Sequence, residues 1–329
     1  MRGKLMSPLV TVIIATYNRG YIVCEAIDSV LQQTYPDIEI VVVDDGSTDD
    51  TQAKLRKYGS RIRLVYQENQ GPAVAWNSGV RAGHGSVICL LCSDDLWLPT
   101  FVERQVSILE RTGPSVPCSL CNAITRWSNG TEVQSFELAR LRPEADEGLW
   151  LNVTDVLLTR FVMCGQMFAI RREALEKVGL FDSSLGYLED YDIALRLSLE
   201  GPWGYIREPL VVYRQSTDSM SLRASSVDAQ LADYILRIRQ RISTEMQSRC
   251  PPLRSRYMAG AMRKAKLDIW AAQAKTGKVL AKARIAGLYS ILARFREAVH
   301  RRSPLYPRMN VLPLPGADLR EVVAATFGQ

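Results

Sequence analysis

The sequence predicts an α/β protein built on a doubly wound, mostly parallel sheet flanked by helices, with a basic, mainly helical C-terminal extension. Three observations predict it. Apolar runs alternate with segments of helical periodicity through the N-terminal part of the chain, joined by short connections. Three of these runs end in polar or acidic residues, Thr16-Tyr17-Asn18, Asp44-Asp45 and Asp94-Asp95, at the strand ends where open α/β sheets bind ligands. Charge is divided: residues 1–221 hold 21 Lys and Arg against 28 Asp and Glu, net −7, and residues 222–329 hold 20 against 7, net +13. The expected organisation is a nucleotide-site domain over 1–221 and a basic helical region over 222–329.

The elements follow in order. Leu9 to Ala15 is a β-branched apolar run and a first buried strand. Ile22, Ala26, Ile27, Val30 and Leu31 have helical spacing, and Pro36 ends that segment. Ile38 to Val43 is a second strand, and the acidic turn after it opens a helix near Thr51. Ile62 to Tyr66 is a third strand; Asn69-Gln70-Gly71-Pro72 turns into a helix closed by Gly83 and Gly85. Val87 to Cys92, six apolar residues without alternation, is a strand buried on both faces. Further on, Phe168 to Leu180 reads as a short strand and an amphipathic helix. Leu188-Glu189-Asp190-Tyr191-Asp192 opens a helix through Leu199, and Pro209 to Tyr213 is a strand followed by a polar loop from Arg214 to Ser221. Arg126 to Asp155 carries no interpretable motif.

Several chemistries are disfavoured. There is no GxGxxG after the first strand and no GxxxxGK[ST] loop, against a dinucleotide or P-loop site. Two histidines, His84 and His300, leave little for a His-based metal centre or a Ser-His-Asp triad. Cys89 and Cys92 are three apart within one strand, so they point to opposite faces and do not share an ion. Seven cysteines, an odd number without a signal peptide, suit reduced thiols. No apolar run is long enough to span a membrane, so a cytoplasmic protein is expected. Adjacent Asp94 and Asp95 repel unless a cation or hydrogen bonds compensate them, and a hard divalent ion is the simplest compensation. Helix capping would account for one acid at such a position, not for paired acids at successive strand ends. Three acids within four residues at Glu189, Asp190 and Asp192 likewise exceed what capping needs.

The stretches VTVIIATYNR, VVVDDGSTDDT, NQGPAVAWNSGVRAGHG, SDDLW, GQMFAIRREALEKVGLFD, LEDYDIALRLSLEG and EPLVVYRQSTDSMS occur in this order over about residues 8–221. Together they resemble the family-2 inverting glycosyltransferases with a GT-A fold. The resemblance implies a nucleoside-diphosphate sugar donor, UDP-linked by preference, Mg²⁺ or Mn²⁺, and a saccharide or lipid-linked acceptor in cell-surface polysaccharide or glycoconjugate synthesis. It implies that Thr16 and Tyr17 meet the nucleotide, Tyr17 by stacking on the base, and that Asp45 hydrogen-bonds the base. Asp94 and Asp95 would serve ribose and metal, and Asp190 would be the general base. Glu189, Asp192 and Arg214 would support it, Arg214 as a cation for the diphosphate. The chain departs from the family pattern at three places: Cys92 where an Asp is common, Trp76 where an Arg is common, and Ser216 where a His is common. These departures keep a second function open, a catalytically silent binding or scaffold protein of the same fold. A nucleotidyltransferase shares the sheet and metal logic but would need a Gly-rich lysine loop that the N-terminal part lacks.

In the basic region, Ala281, Ile285, Leu288, Leu292, Phe295 and Val299 form an apolar stripe, with Lys278, Lys282, Arg284, Arg294 and Arg296 off it. A stripe of this kind packs on the catalytic domain or lies on an anionic membrane surface, which would place the protein at the inner face of the membrane. No nucleic-acid-binding module is visible. The tail after Ser303, with four prolines, reads as largely irregular.

Overall fold

The computed structural model describes residues 7–159, 165–185, 188–215, 228–249 and 309–313. The chain forms two compact units: residues 1–153, 162–216 and 309–329 make the first, and residues 154–161 and 217–308 the second.

The first unit is built on one mixed, mostly parallel sheet. Its first half repeats strand and helix: β1 (Val10–Thr16), α1 (Val23–Leu31), β2 (Ile38–Asp44), α2 (Thr51–Leu55), β3 (Arg63–Tyr66), α3 (Pro72–Ala82) and β4 (Val87–Cys92). β1 pairs in parallel with β2 and β4, and β2 with β3. Val and Ile dominate β1 and β2, and their side chains are buried through almost the whole length of both strands, as parallel strands covered on both faces require. α3 lies close against β1: a Cβ on Gly79 would collide with Ile13, so this position admits only glycine at the observed spacing. α2 is five residues long and continues as a 3₁₀ turn over Arg56–Arg61.

The second half adds β5 (Leu96–Trp97), α4 (Phe101–Thr112), β6 (Cys118–Trp127), β7 (Glu132–Gln134), α5 (Ser135–Leu138), β8 (Glu147–Trp150), β9 (Phe168–Arg171), α7 (Arg172–Lys177), α8 (Glu189–Leu197), β10 (Trp203–Gln215) and β11 (Val311–Pro313); α6 (Val153–Thr159), between β8 and β9 in the chain, belongs from Thr154 onward to the second unit. The sheet order is β11-β8-β10-β6-β9-β4-β1-β2-β3, with β5 on β10 and β7 on β6. Antiparallel β9 joins the two halves by pairing with β4 on one side and β6 on the other. Two consecutive arginines follow it. Arg171 donates to the carbonyls of Leu109, Gly113 and Val116 at the end of α4. Arg172 donates to those of Val80, Gly83 and Gly85 at the end of α3. Each guanidinium thus closes the carbonyl end of one helix.

One expectation is corrected, and two stretches without a clear reading gain elements. Arg214 does not begin a loop. β10 runs from Trp203 through Gln215, and Arg214 pairs with Arg126 of β6. Pro209 sits at a register irregularity inside this strand, where its missing N–H costs no ladder bond. The stretch from Arg126 to Asp155 contains β7, α5 and β8, short elements with little periodicity to reveal them. In the C-terminal tail, read as largely irregular, β11 (Val311–Pro313) pairs antiparallel with β8.

In the second unit, α9 (Asp228–Arg249) buries Tyr234, Ile238 and Ile242 at a four-residue spacing, one face of a helix. The apolar stripe from Ala281 to Val299 and Ser216 lie outside the described residues. Among the described residues no helix is long and apolar enough to cross a membrane.

Candidate active site

The ends of β1, β2 and β4 are in register: Thr16 lies beside Asp44, and Ala15 beside Cys92. The polar residues that follow are therefore neighbours. Asn18 adopts a left-handed backbone with φ of 51°, which its short polar side chain tolerates. Its amide N–H donates to Ser47 Oγ at 2.9 Å, and its Oδ1 accepts from the N–H of Thr48 at 2.8 Å. Gly20 N–H reaches Asp49 Oδ2 at 3.1 Å and Arg19 N–H reaches Thr51 Oγ1 at 3.1 Å. The loop after β1 and the loop after β2 are thereby tied into one rim. Tyr17 stands exposed on it, at 47 %, a flat apolar face open to a ligand.

Asp44 and Asp45 have different surroundings. Asp45 is buried, and its carboxylate accepts from Gln67 Nε2 at 2.7 Å, Gln70 N–H at 3.0 Å and Gly71 N–H at 2.9 Å. It holds the turn that starts α3. Asp44 Oδ1 accepts from Ser47 N–H at 2.9 Å. Its Oδ2 and the Oγ1 of adjacent Thr16 are buried without a hydrogen-bond partner among the described residues. Asp44, expected only as part of the acidic strand end Asp44-Asp45 and with no role of its own, is thereby a candidate site residue beside Asp45.

After β4, Asp94 is partly exposed and its Oδ2 lies 3.7 Å from Arg19 Nη2. Asp95 is fully buried. Its Oδ1 accepts from Arg214 N–H at 2.8 Å, and its Oδ2 has no partner. Burial and the neighbouring Asp94 charge push the Asp95 carboxyl well above the usual carboxylate range, against the pull of the Arg214 N–H. The Arg214 guanidinium is largely committed: Nε donates to the Asp94 carbonyl and Nη1 pairs with Glu25, while Nη2 is buried and unpartnered. Arg214 therefore holds the Asp94-Asp95 turn as well as carrying charge. Cys92 Sγ and one carboxylate oxygen each from Asp94 and Asp95 lie within 4.8 Å of one another. A buried carboxylate oxygen left unpaired, beside a second carboxylate, is the donor set a divalent cation fits.

The fourth part comes from α8. Leu188 precedes it in a left-handed conformation, φ 66°, a strained geometry for a γ-branched residue. It aims Glu189 and Asp190 inward. Asp190 accepts from its neighbour Tyr191 N–H at 2.7 Å and from Gly165 N–H. Glu189 accepts from Trp76 of α3. Burial, then the charge of Asp190, raises the Glu189 carboxyl to about 8, and burial raises Asp190 as well. Three backbone N–H groups, those of Tyr191, Gly165 and Asp190 itself, stabilise the Asp190 carboxylate, against the Trp76 indole and its own N–H for Glu189, so Glu189 is the member that keeps a proton near neutral pH. Burial drives the Cys92 thiol upward, and the acids Asp95, Asp94, Asp190 and Glu189 push it the same way. Asp192, a supporting residue by expectation, is fully buried in an ion pair with Arg196 at 2.7 Å.

Gln166 is a further site residue that sequence reasoning missed. It lies in the 3₁₀ turn Gly165–Met167 before β9. Its carbonyl accepts from Trp97 Nε1 at 3.0 Å, its Oε1 lies 3.9 Å from Cys92 Sγ, and its Nε2 is buried without a partner. The signal available was the GQM step inside a quoted motif, where a neutral amide has no periodic or charge signature.

Residues 11–179 match the family model for glycosyl transferase family 2. The chain belongs to that family. Among curated proteins, this family-2 member is 35 % identical over 199 residues to an uncharacterized glycosyltransferase of Rickettsia prowazekii, a match covering 59 % of each chain. It is 40 % identical over 176 residues to one of Nostoc, covering 51 % of this chain and 52 % of the relative. The match thus spans little more than half the length of these relatives. Among solved structures, residues 1–349 of Staphylococcus aureus TarS in complex with UDP-GlcNAc superpose with a TM-score of 0.65 at 16 % identity, covering 83 % of this chain and 77 % of that one. The mannosyltransferase PcManGT of Pyrobaculum calidifontis, in complex with GDP-Man and Mn²⁺, gives 0.56 at 21 %, covering 92 % and 86 %. At these identities the likeness establishes the GT-A fold of the family-2 member.

Proposed function

We propose that this chain transfers a sugar from a nucleoside-diphosphate sugar, UDP-linked by preference, to a hydroxyl of a saccharide or lipid-linked acceptor, with inversion and with the help of Mg²⁺ or Mn²⁺. The observation that carries this is the cluster of Cys92, Asp94 and Asp95 at the end of β4, whose ligand atoms lie within 4.8 Å of one another and which holds a buried, unpartnered Asp95 oxygen, beside the rim that bears Tyr17. TarS, bound to UDP-GlcNAc, and PcManGT, bound to GDP-Man and Mn²⁺, share the fold and support the donor class.

The residues divide the work. Tyr17 offers its exposed ring to the base, and Thr16 and Asp44 offer unpartnered oxygens beside it; Asp45 shapes the turn they face. Asp94 and Asp95 would hold the cation, which when bound offsets the negative charge leaving on the nucleoside diphosphate. The Arg214 Nη2 and the Arg19 guanidinium supply protein charge on the same side. Asp190, its carboxyl raised above the ordinary carboxylate range by desolvation, takes the proton of the acceptor hydroxyl as that oxygen attacks the anomeric carbon from the face opposite the leaving group. Glu189, protonated and held by Trp76, leaves the negative charge of the pair on Asp190. A single in-line displacement inverts the anomeric centre. The catalytic domain is assigned to residues 1–221. Residues 222–329, net +13, are proposed to touch an anionic membrane surface, which places the protein in the cytoplasm with peripheral contact at the inner membrane face.

Calorimetric titration with UDP and then GDP, with and without Mn²⁺, tests this. Metal-dependent UDP binding that collapses in Asp95→Ala is expected. Asp190→Asn should keep UDP binding within about twofold while sugar transfer falls by on the order of 10²–10⁴-fold. Preferred GDP binding would change the donor; no nucleotide binding by folded protein would leave a silent scaffold.

A further inference from the structure

We propose that Cys92 is itself a cation ligand, making this a mixed thiolate–carboxylate site that favours thiophilic divalent ions over Mg²⁺. This ligation rests on the cation site proposed above and goes beyond it, because a carboxylate-only site would prefer hard ions.

Three observations carry it. The Cys92 Sγ and the Asp94 and Asp95 oxygens lie within 4.8 Å of one another. Ligand atoms at ordinary Zn–S and Zn–O lengths sit about 3.5 Å apart around one tetrahedral ion, so modest side-chain rotation closes the set. Asp95 is fully buried, and its carboxylate keeps one oxygen, Oδ2, without a hydrogen-bond partner among the described residues. The thiol is only weakly engaged, its polar neighbour being Gln166 Oε1 at 3.9 Å, and Cys92 is partly accessible where Cys89, Cys118 and Cys121 are buried. As the last residue of β4, Cys92 is also fixed in place by pairing with Ala15.

Binding breaks the Sγ–H bond. Its proton passes to solvent, and the freed sulfur electron pair forms the bond to the ion, with no change of oxidation state. A thiolate beside two carboxylates ranks Zn²⁺, Co²⁺ and Cd²⁺ above Mn²⁺ and places Mg²⁺ last.

The test uses the full chain with UDP present. Titration with Co²⁺ should produce a near-ultraviolet thiolate-to-cobalt charge-transfer band saturating at one ion per chain. The band should vanish in Cys92→Ser and persist in Cys24→Ser, and Cys92→Ser should bind Co²⁺ on the order of tenfold more weakly. Cys92→Asp should gain Mg²⁺ binding. A second measurement needs no variant: Co²⁺ should slow alkylation of Cys92 by iodoacetamide, read by peptide mass spectrometry. Calorimetric Co²⁺ binding without the band and without protection overturns thiol ligation and leaves the cation site standing. Absence of any Co²⁺ or Mn²⁺ binding overturns both.

Discussion

Glu189 and Asp190 illustrate how one residue's surroundings decide its chemistry. Both are acids on the first turn of α8, yet Asp190 receives three backbone N–H bonds, and Glu189 one backbone N–H and the Trp76 indole. The raised Glu189 carboxyl has a consequence for stability. Its folded value, about 8, lies above the ordinary unfolded value, so between these two the native state binds a proton that the unfolded state has released. Stability is therefore fullest at low pH and falls as pH rises through that window, by at most about 1.4 kcal/mol per pH unit. Glu189→Gln, which stays neutral and can still accept from Trp76, should melt like the parent at pH 5 and several degrees higher at pH 8. A gap that does not widen with pH, in thermal unfolding followed by fluorescence, would contradict the assigned proton. At this scale the acids were legible in the sequence, because three in four residues exceed capping needs. The acidic strand end Asp44-Asp45 was legible too, but not which of its two acids keeps an unpaired oxygen, and Gln166 was not legible at all, since an unpaired buried atom is a property of tertiary packing and leaves no trace in composition.

Elements show where the sheet is held. The Arg172 guanidinium satisfies three carbonyls at the end of α3 with bonds of 2.7–3.0 Å, and that helix carries Trp76 and follows the turn fixed by Asp45. Arg172→Ala should cost about 2–4 kcal/mol in urea unfolding with an unchanged m value. Lysine should recover little, because one ammonium cannot reach three divergent carbonyls. A loss below about 0.5 kcal/mol would show that water replaces the arginine freely. The same comparison explains what the sequence revealed. β1 to β4 were readable because buried parallel strands write unbroken apolar runs and their helices a clear 3.6 period. β5 has two residues and β7 three, too few for any period. β10 was cut short in expectation by Pro209, since proline argues for a strand boundary; the register irregularity there lets the strand continue on both sides.

At the scale of the molecule, charge is the dominant asymmetry. The net +13 of residues 222–329 should draw the full chain onto vesicles containing anionic lipid at low salt, with binding lost as ionic strength rises toward several hundred millimolar. Co-sedimentation checks this; indifference to anionic vesicles at low salt would remove the membrane proposal. The natural truncation for such work would end the chain near residue 221, but that cut also deletes β11, which borders β8 in the first unit. An internal deletion of residues 217–308 with a flexible linker separates the two effects, and should melt above the simple truncation. The return of β11 also bears on synthesis. β8 is translated more than a hundred and fifty residues before its partner, so a ribosome carrying a nearly finished chain displays a sheet with one edge uncovered. For that interval the nascent chain depends on whatever shields β8, and premature termination anywhere before residue 311 leaves that edge bare in the released product.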